Sequence, residues 1–102
     1  MAVKTQVKNS YELLVILKPG ISNDDLEKNI SQIENAIKNY GGSVVKIDEP
    51  VRKRFTHKIK TFKDGYYIPV LFNAPSEVPN VLKRSLSITD DVLRYIVVRK
   101  NS

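Results

Sequence analysis

Pro50-Val51-Arg52-Lys53-Arg54-Phe55-Thr56-His57-Lys58-Ile59-Lys60-Thr61-Phe62-Lys63-Asp64-Gly65-Tyr66-Tyr67-Ile68-Pro69-Val70-Leu71-Phe72 is the stretch on which the fold turns. Phe55, His57 and Ile59 alternate with Arg54, Thr56, Lys58 and Lys60, the two-residue period of an extended ribbon. Lys63-Asp64-Gly65 carries the turn signal, because Asp-Gly favours a tight or bulged hairpin. The strand that follows, residues 66–72, is rich in β-formers. Pro69 inside it removes a ladder donor and so calls for a bulge or a gap in the pairing. This hairpin links the two halves of the chain.

Each half supplies a strand and a helix. Tyr11-Glu12-Leu13-Leu14-Val15-Ile16-Leu17 is a nearly continuous apolar run closed by Lys18-Pro19-Gly20, as expected of a strand in the middle of a sheet. Ser22 then precedes acids, which suit a helix N-terminus. Leu26, Ile30, Ile33, Ile37 and Tyr40 step by four and three along one helical face, and Asn29 falls with the polar residues. Gly41-Gly42 stops the helix. Residues 43–48 start a second strand, which Glu49-Pro50 interrupts before the basic stretch carries on. Beyond the hairpin, Ser76 is the expected cap of a second helix, with Pro79 in its first turn and Val78, Val81, Leu82 and Leu86 as its apolar stripe. Residues 92–99 form the last, β-branched strand.

The order strand, helix, strand, strand, helix, strand is the α+β, ferredoxin-like split βαβ plan (βαββαβ). It predicts a four-stranded antiparallel sheet in the order four, one, three, two, with both helices on one face. At 102 residues the chain reads as one domain, with its ordered core over about residues 10–100. Both parities of the first, third and last strands are apolar or aromatic, so the face opposite the helices must meet something.

Composition narrows the chemistry. The chain has no cysteine, which excludes disulfide scaffolds, thiolate metal sites and cysteine nucleophiles. The tail with Lys4 and Lys8 is too polar for a signal peptide and no apolar run could span a bilayer, so a cytoplasmic protein without a membrane partner is expected. A net charge of +6 favours an acidic partner. The acids gather at Asp24, Asp25 and Glu27, at Asp48 and Glu49, and at Asp90 and Asp91, which leaves residues 52–63 uncompensated along the sequence.

No catalytic constellation stands out. His57, the one histidine, lies among cations that oppose its protonation and repel a metal ion, and no carboxylate in its strand orients it. Asp24-Asp25 and Asp90-Asp91 open or precede elements and fit turn chemistry. No glycine-rich loop opens a helix to cradle phosphate. No enzyme activity, cofactor, metal or small-molecule substrate is therefore expected. Arg52, Lys53, Arg54, Lys58, Lys60 and Lys63, interleaved with Phe55, Ile59 and Phe62, instead suit a polyanion. Lys63-Asp64-Gly65-Tyr66-Tyr67-Ile68 is a weak likeness to the third-strand motif of RNA-recognition domains.

The chain resembles bacterial small-subunit ribosomal protein six over about residues 11–100. The likeness rests on Tyr11-Glu12, Leu17-Lys18-Pro19, Asn39-Tyr40-Gly41-Gly42, the basic run before Ile59, Gly65-Tyr66, and above all Asp91-Val92-Leu93-Arg94-Tyr95-Ile96-Val97-Val98. The resemblance implies a structural ribosomal protein that binds the central domain of small-subunit ribosomal RNA together with ribosomal protein eighteen and supports platform assembly. It maps the family's cationic hairpin onto Arg52, Lys53 and Arg54, its strand-one aromatic onto Tyr11, and its last-strand arginine onto Arg94. Val51 and Thr56-His57 depart from the family's usual glycine and alanine-tyrosine. Lys58, Lys60, Lys63 and Arg99 complete the expected RNA contacts, and Tyr66, Tyr67 and Tyr95 are the expected protein-partner surface of a protein that is monomeric outside the ribosome. A regulatory ferredoxin-like domain that binds a small metabolite and homodimerises through its sheet explains the apolar face equally well but leaves the cationic ribbon without a role. A small phosphate-ester or acyl-phosphate hydrolase on the same fold lacks an anion-cradling loop.

Overall fold

The computed structural model describes residues 9–100; the tail carrying Lys4 and Lys8 lies outside them. The elements are β1 (Asn9–Leu17), α1 (Asn23–Asn39), β2 (Ser43–Ile47), β3 (Val51–Ile59), β4 (Phe62–Ala74), α2 (Val78–Ser87) and β5 (Val92–Lys100). The sheet is antiparallel in the order β2-β4-β1-β5, with β3 also paired to β4. β2 lies against residues 70–73 of β4 and β3 against residues 62–67. The two thus lie end to end and fill one position of the four-strand, ferredoxin-like plan.

The break between them has a cause on each strand. Pro50 ends the gap on one side. On the other, the Pro69 carbonyl accepts from the Asp48 N–H at 3.1 Å. In an antiparallel ladder the N–H and C=O of one residue point to the same neighbour. The donor that Pro69 lacks therefore faces the segment between Ile47 and Val51, where no ladder partner waits for it.

Helix α1 begins where Ser22, in an extended conformation, accepts at Oγ from the Asp25 N–H at 3.1 Å. Leu26, Ile33 and Ile37 are buried. The helix ends in a Schellman motif: Gly42 N–H donates to the Ile37 carbonyl and Gly41 N–H to that of Lys38, with Gly41 at φ 87°. Asn29 corrects the sequence reading, since it is buried and not on the wet face. Helix α2 also differs at its start. Ser76 is not the cap; a turn closed by Val78 N–H on the Pro75 carbonyl at 3.1 Å carries the chain into the helix behind Glu77, and Pro79 sits in the first turn, where its missing N–H costs nothing.

The core lies between the helices and one face of the sheet. Leu13, Val15 and Leu17 of β1, Ile68, Val70 and Phe72 of β4, and Val78, Leu82 and Leu86 of α2 are all buried there. Side chains alternate across a strand, so their neighbours Glu12, Leu14, Tyr67, Pro69 and Leu71 belong to the opposite, uncovered face, as do Ile96 and Val98, the ladder partners of Leu14 and Glu12.

β4 outruns the sheet. β1 ends at the pair Leu17↔Tyr66, so residues 62–65 have only β3 beside them. A two-stranded ribbon projects, and the molecule is elongated, 55 × 27 × 22 Å. The turn at its tip is Lys60-Thr61, closing the pair Ile59↔Phe62, with Lys60 in the left-handed region at φ 56°. Asp64-Gly65 is therefore not the turn expected from sequence but part of β4. Gly65 is required for close approach: a Cβ there would meet the Leu17 carbonyl oxygen at 2.6 Å and the Phe55 ring at 2.9 Å.

Candidate nucleic-acid and protein interface

The ribbon carries most of the expected RNA contacts. Lys53, Arg54, Lys58, Lys60 and Lys63 have no carboxylate within ion-pair distance among the described residues. Arg52 differs. Its guanidinium holds Asp64 at 3.1 Å and 3.2 Å across the hairpin, so the strip is not wholly uncompensated, and the first cation of the run is paired within the ribbon. Lys53 lies over the Tyr67 ring, 5.4 Å from its centroid, and Phe55 packs against the same ring at 6.0 Å.

Beyond the pair Arg54↔Asp64 the two strands lose register until Ile59↔Phe62. Phe55, Thr56, His57 and Lys58 on β3 then oppose Lys63 alone on β4. This wide bulge opens a shallow notch of about 210 Å³ lined by Arg54, Phe55, Thr56, Lys58 and Lys63.

The remaining expected contacts divide. Arg94 is exposed on the uncovered face and pairs with Ile16, next to the root of the ribbon. Tyr11 and Arg99 pair with one another at the far end of the sheet, roughly 20 Å away at 3.3 Å per residue. Tyr11 is 6% exposed and stacks on Phe72 at 5.4 Å, which makes it a core ring with no face free for a base. Arg99 donates to the Asn9 side chain at 3.0 Å. The basic hairpin and Arg94 thus form one region, and Tyr11 and Arg99 are not part of it.

The expected protein surface divides too. Tyr67 belongs to the uncovered face, whereas Tyr66 and Tyr95 pair with Leu17 and Val15 and pack against the core on the helix side. The uncovered face is nonetheless apolar. A cleft of about 550 Å³ there is lined by Leu14, Val51, Tyr67 and Pro69 with Lys53, Asp48 and Glu49. Ile96 and Val98, about half exposed, extend the apolar strip across β5.

A separate polar cluster pins the end of β1. Asn29 Nδ2 donates to Asp91 Oδ2 at 3.1 Å and to the Asp25 carbonyl at 2.9 Å, and Lys18 Nζ lies 3.2 Å from Asp91 Oδ1. The Asn29 hydrogen bond, opposed by partial burial and helped by Lys18, holds the Asp91 carboxyl below its ordinary value of 3.8. These residues join β1, α1 and β5 and account for Asp91 without any catalytic role. The sequence signal for them is slight: Asn29, read with the polar residues, stands three positions after Leu26 and four before Ile33, a spacing that also suits the buried face.

The comparisons agree with this architecture. The family described as ribosomal protein S6 matches residues 10–99. The small ribosomal subunit protein bS6 of Carboxydothermus hydrogenoformans is 38% identical over 91 residues, covering 89% of this chain and 95% of the relative. That of Heliobacterium modesticaldum is 33% identical over the same share of each. The crystal structure of 30S ribosomal protein S6 from Thermotoga maritima superposes with a TM-score of 0.86 over 92% of this chain and 89% of that one, at 20% identity, and supports the fold. By the extent of the family match and the identity to its curated relatives, the chain belongs to the ribosomal protein S6 family.

Proposed function

We propose that the chain binds the central domain of small-subunit ribosomal RNA jointly with ribosomal protein eighteen and supports assembly of the platform. Membership of the family makes it a structural protein of the small ribosomal subunit and not an enzyme. The observation that supports the finer reading is segregation: unneutralised cations project on a ribbon beyond the body, while an uncovered apolar face lies beside its root. A phosphate backbone suits the first and a protein partner the second. A monomer outside the ribosome is part of this proposal; size-exclusion chromatography without RNA tests it, and a salt-insensitive homodimer would refute it.

Filter binding to central-domain RNA with the partner protein present tests the reading. Replacing Lys53, Arg54, Lys58 and Lys63 with alanine removes four phosphate contacts at about 0.7–0.9 of log–log salt slope each. Between about 50 and 200 mM salt the wild type should lose about fifty to a hundred and fifty times more affinity than the variant. Unchanged affinity and slope would sink the assignment.

A further inference from the structure

We infer that the bulge notch of the ribbon is a single-nucleotide site, in which Arg54, Lys58 and Lys63 hold a phosphate and Phe55 stacks on an unpaired base. The inference rests on the reading of the ribbon as an RNA contact and goes beyond it. A surface that only neutralises phosphates needs cations on a regular strand. Here the register slip gathers three of them, drawn from both strands, around one recess that Phe55 also lines.

Three observations carry it. First, none of the three cations is tied to a carboxylate among the described residues, because the nearest candidate by register, Asp64 opposite Arg54, is already bound by Arg52. The notch therefore has uncompensated positive charge at the scale of one phosphate. Second, Phe55 is only partly buried and is held from below. Its ring covers the site of Gly65, whose missing side chain is what lets it lie there, and it leans on Tyr67 at 6.0 Å with an interplanar angle of 50°. A ring fixed in this way needs little ordering before a base stacks on it. Third, of the two aromatics Phe55 lines the notch and Tyr67, which has Lys53 over its ring, does not.

The ligand is thus an unpaired nucleotide of a single strand, a loop or a strand end, and not the continuous backbone of a duplex, whose bases are stacked on each other. Sequence preference is not built in, since stacking accepts any base.

Binding of the full-length protein to oligoadenylate and to an abasic ribose-phosphate strand with the same number of phosphates tests this. The wild type should bind oligoadenylate between about fivefold and a hundredfold more tightly, the range for stacking one base on an aromatic ring. Phe55→Leu, which keeps an apolar side chain, should erase that preference and leave the abasic strand's affinity and salt slope alone; Phe55→Tyr should restore it. Tyr67→Phe should leave it unchanged. Circular dichroism melting verifies that each variant is folded. A wild type with no preference for bases, or a preference that survives Phe55→Leu, overturns the inference while leaving the phosphate contact standing; Phe55 then belongs to the protein-facing apolar strip. If joint replacement of Arg54, Lys58 and Lys63 by alanine leaves binding of both strands unaltered, the ribbon does not contact nucleic acid at all and the inference falls with the reading beneath it.

Discussion

Lys60→Gly tests where the ribbon turns, and Gly65→Ala tests what the glycine inside β4 is for. The φ of Lys60 is 56°, a conformation that costs a non-glycine residue about 1–2 kcal/mol. Glycine relieves that cost but brings about 0.5–1 kcal/mol of extra chain entropy to lose on folding. Lys60→Gly should thus lie between neutral and about 1.5 kcal/mol stabilising. Gly65 is not among the positive-φ residues, so alanine there meets no backbone strain but a wall: the Leu17 carbonyl oxygen at 2.6 Å, the Phe55 ring at 2.9 Å and Ile16 at 3.2 Å. The ring can swing away; the carbonyl, fixed in the β1–β4 pairing, cannot move without disturbing the ladder. Overpacking of this kind costs about 1–3 kcal/mol. At about 4–8 °C per kcal/mol for a domain of this size, the melting temperature should fall by roughly 5–20 °C. The chain has no tryptophan, so urea titration followed by far-ultraviolet circular dichroism is the assay. A Lys60→Gly variant destabilised by more than about 0.5 kcal/mol would refute the reasoning. So would a Gly65→Ala variant as stable as wild type. The first result would move the turn away from Lys60-Thr61; the second would remove the close approach at Gly65.

Asp64→Asn frees Arg52 from its cross-hairpin partner. RNA affinity should rise and the salt slope steepen by up to about 0.7–0.9, as measured by filter binding across a salt series; an unchanged slope means Arg52 does not reach phosphate. Arg54→Ala should weaken the slope by the same amount, and Arg52→Ala by less, because Arg52 is already paired with Asp64. Asp91 makes a pH prediction. Its folded pKa lies below the ordinary value of 3.8, so its contribution to stability is fully present above that value and is lost as pH falls through the lower, folded one. Asp91→Asn should be less stable than wild type near neutrality, and the gap should close in acid melts below pH 3.8; a gap that persists there would show that the carboxylate charge is not what pins β1.

The fold was legible because its signals are local and mutually consistent. The Ser22 cap, the step of apolar residues from Leu26 to Ile37 and the Gly41-Gly42 stop each act within one or two turns of chain, and the structure uses them as read. The misreadings share a different origin, in that tertiary contacts reassigned residues whose local preference was clear. Asp-Gly is a strong turn signal, yet Asp64 is spent on Arg52 and Gly65 on the space beneath Phe55. Asn29 sits among polar helix residues by sequence and is buried because Asp91, sixty-two positions away, needs a donor. Of the candidate site, the charge run was visible and its neutralisation by Asp64 was not. Tyr11, Tyr66 and Tyr95 show the limit of reading a strand apolar on both parities. Composition cannot say which parity the helices cover, and in each case the ring lies on the covered one.

Those facing choices also explain why the ribbon can project at all. A hairpin longer than its sheet leaves backbone and side chains without a third strand, and an isolated two-stranded ribbon is marginal in water. This one is braced at its root by contacts that the main sheet does not supply: the Arg52–Asp64 pair on one face, and Lys53, Tyr67 and Phe55 over Gly65 on the other. Of these bracing residues, Arg52, tied to Asp64, and Tyr67, held between Lys53 and Phe55, are withdrawn from the pool of free cations and rings. The cations with neither a carboxylate nor a ring beside them among the described residues, Arg54, Lys58, Lys60 and Lys63, lie from the last regular pair, Arg54↔Asp64, toward the tip. The division of labour along the ribbon is thus from structural at the root to ligand-seeking at the tip. It follows that substitutions at Arg52 and Asp64 should be felt in folding as well as binding, and those at Lys58 and Lys63 in binding alone.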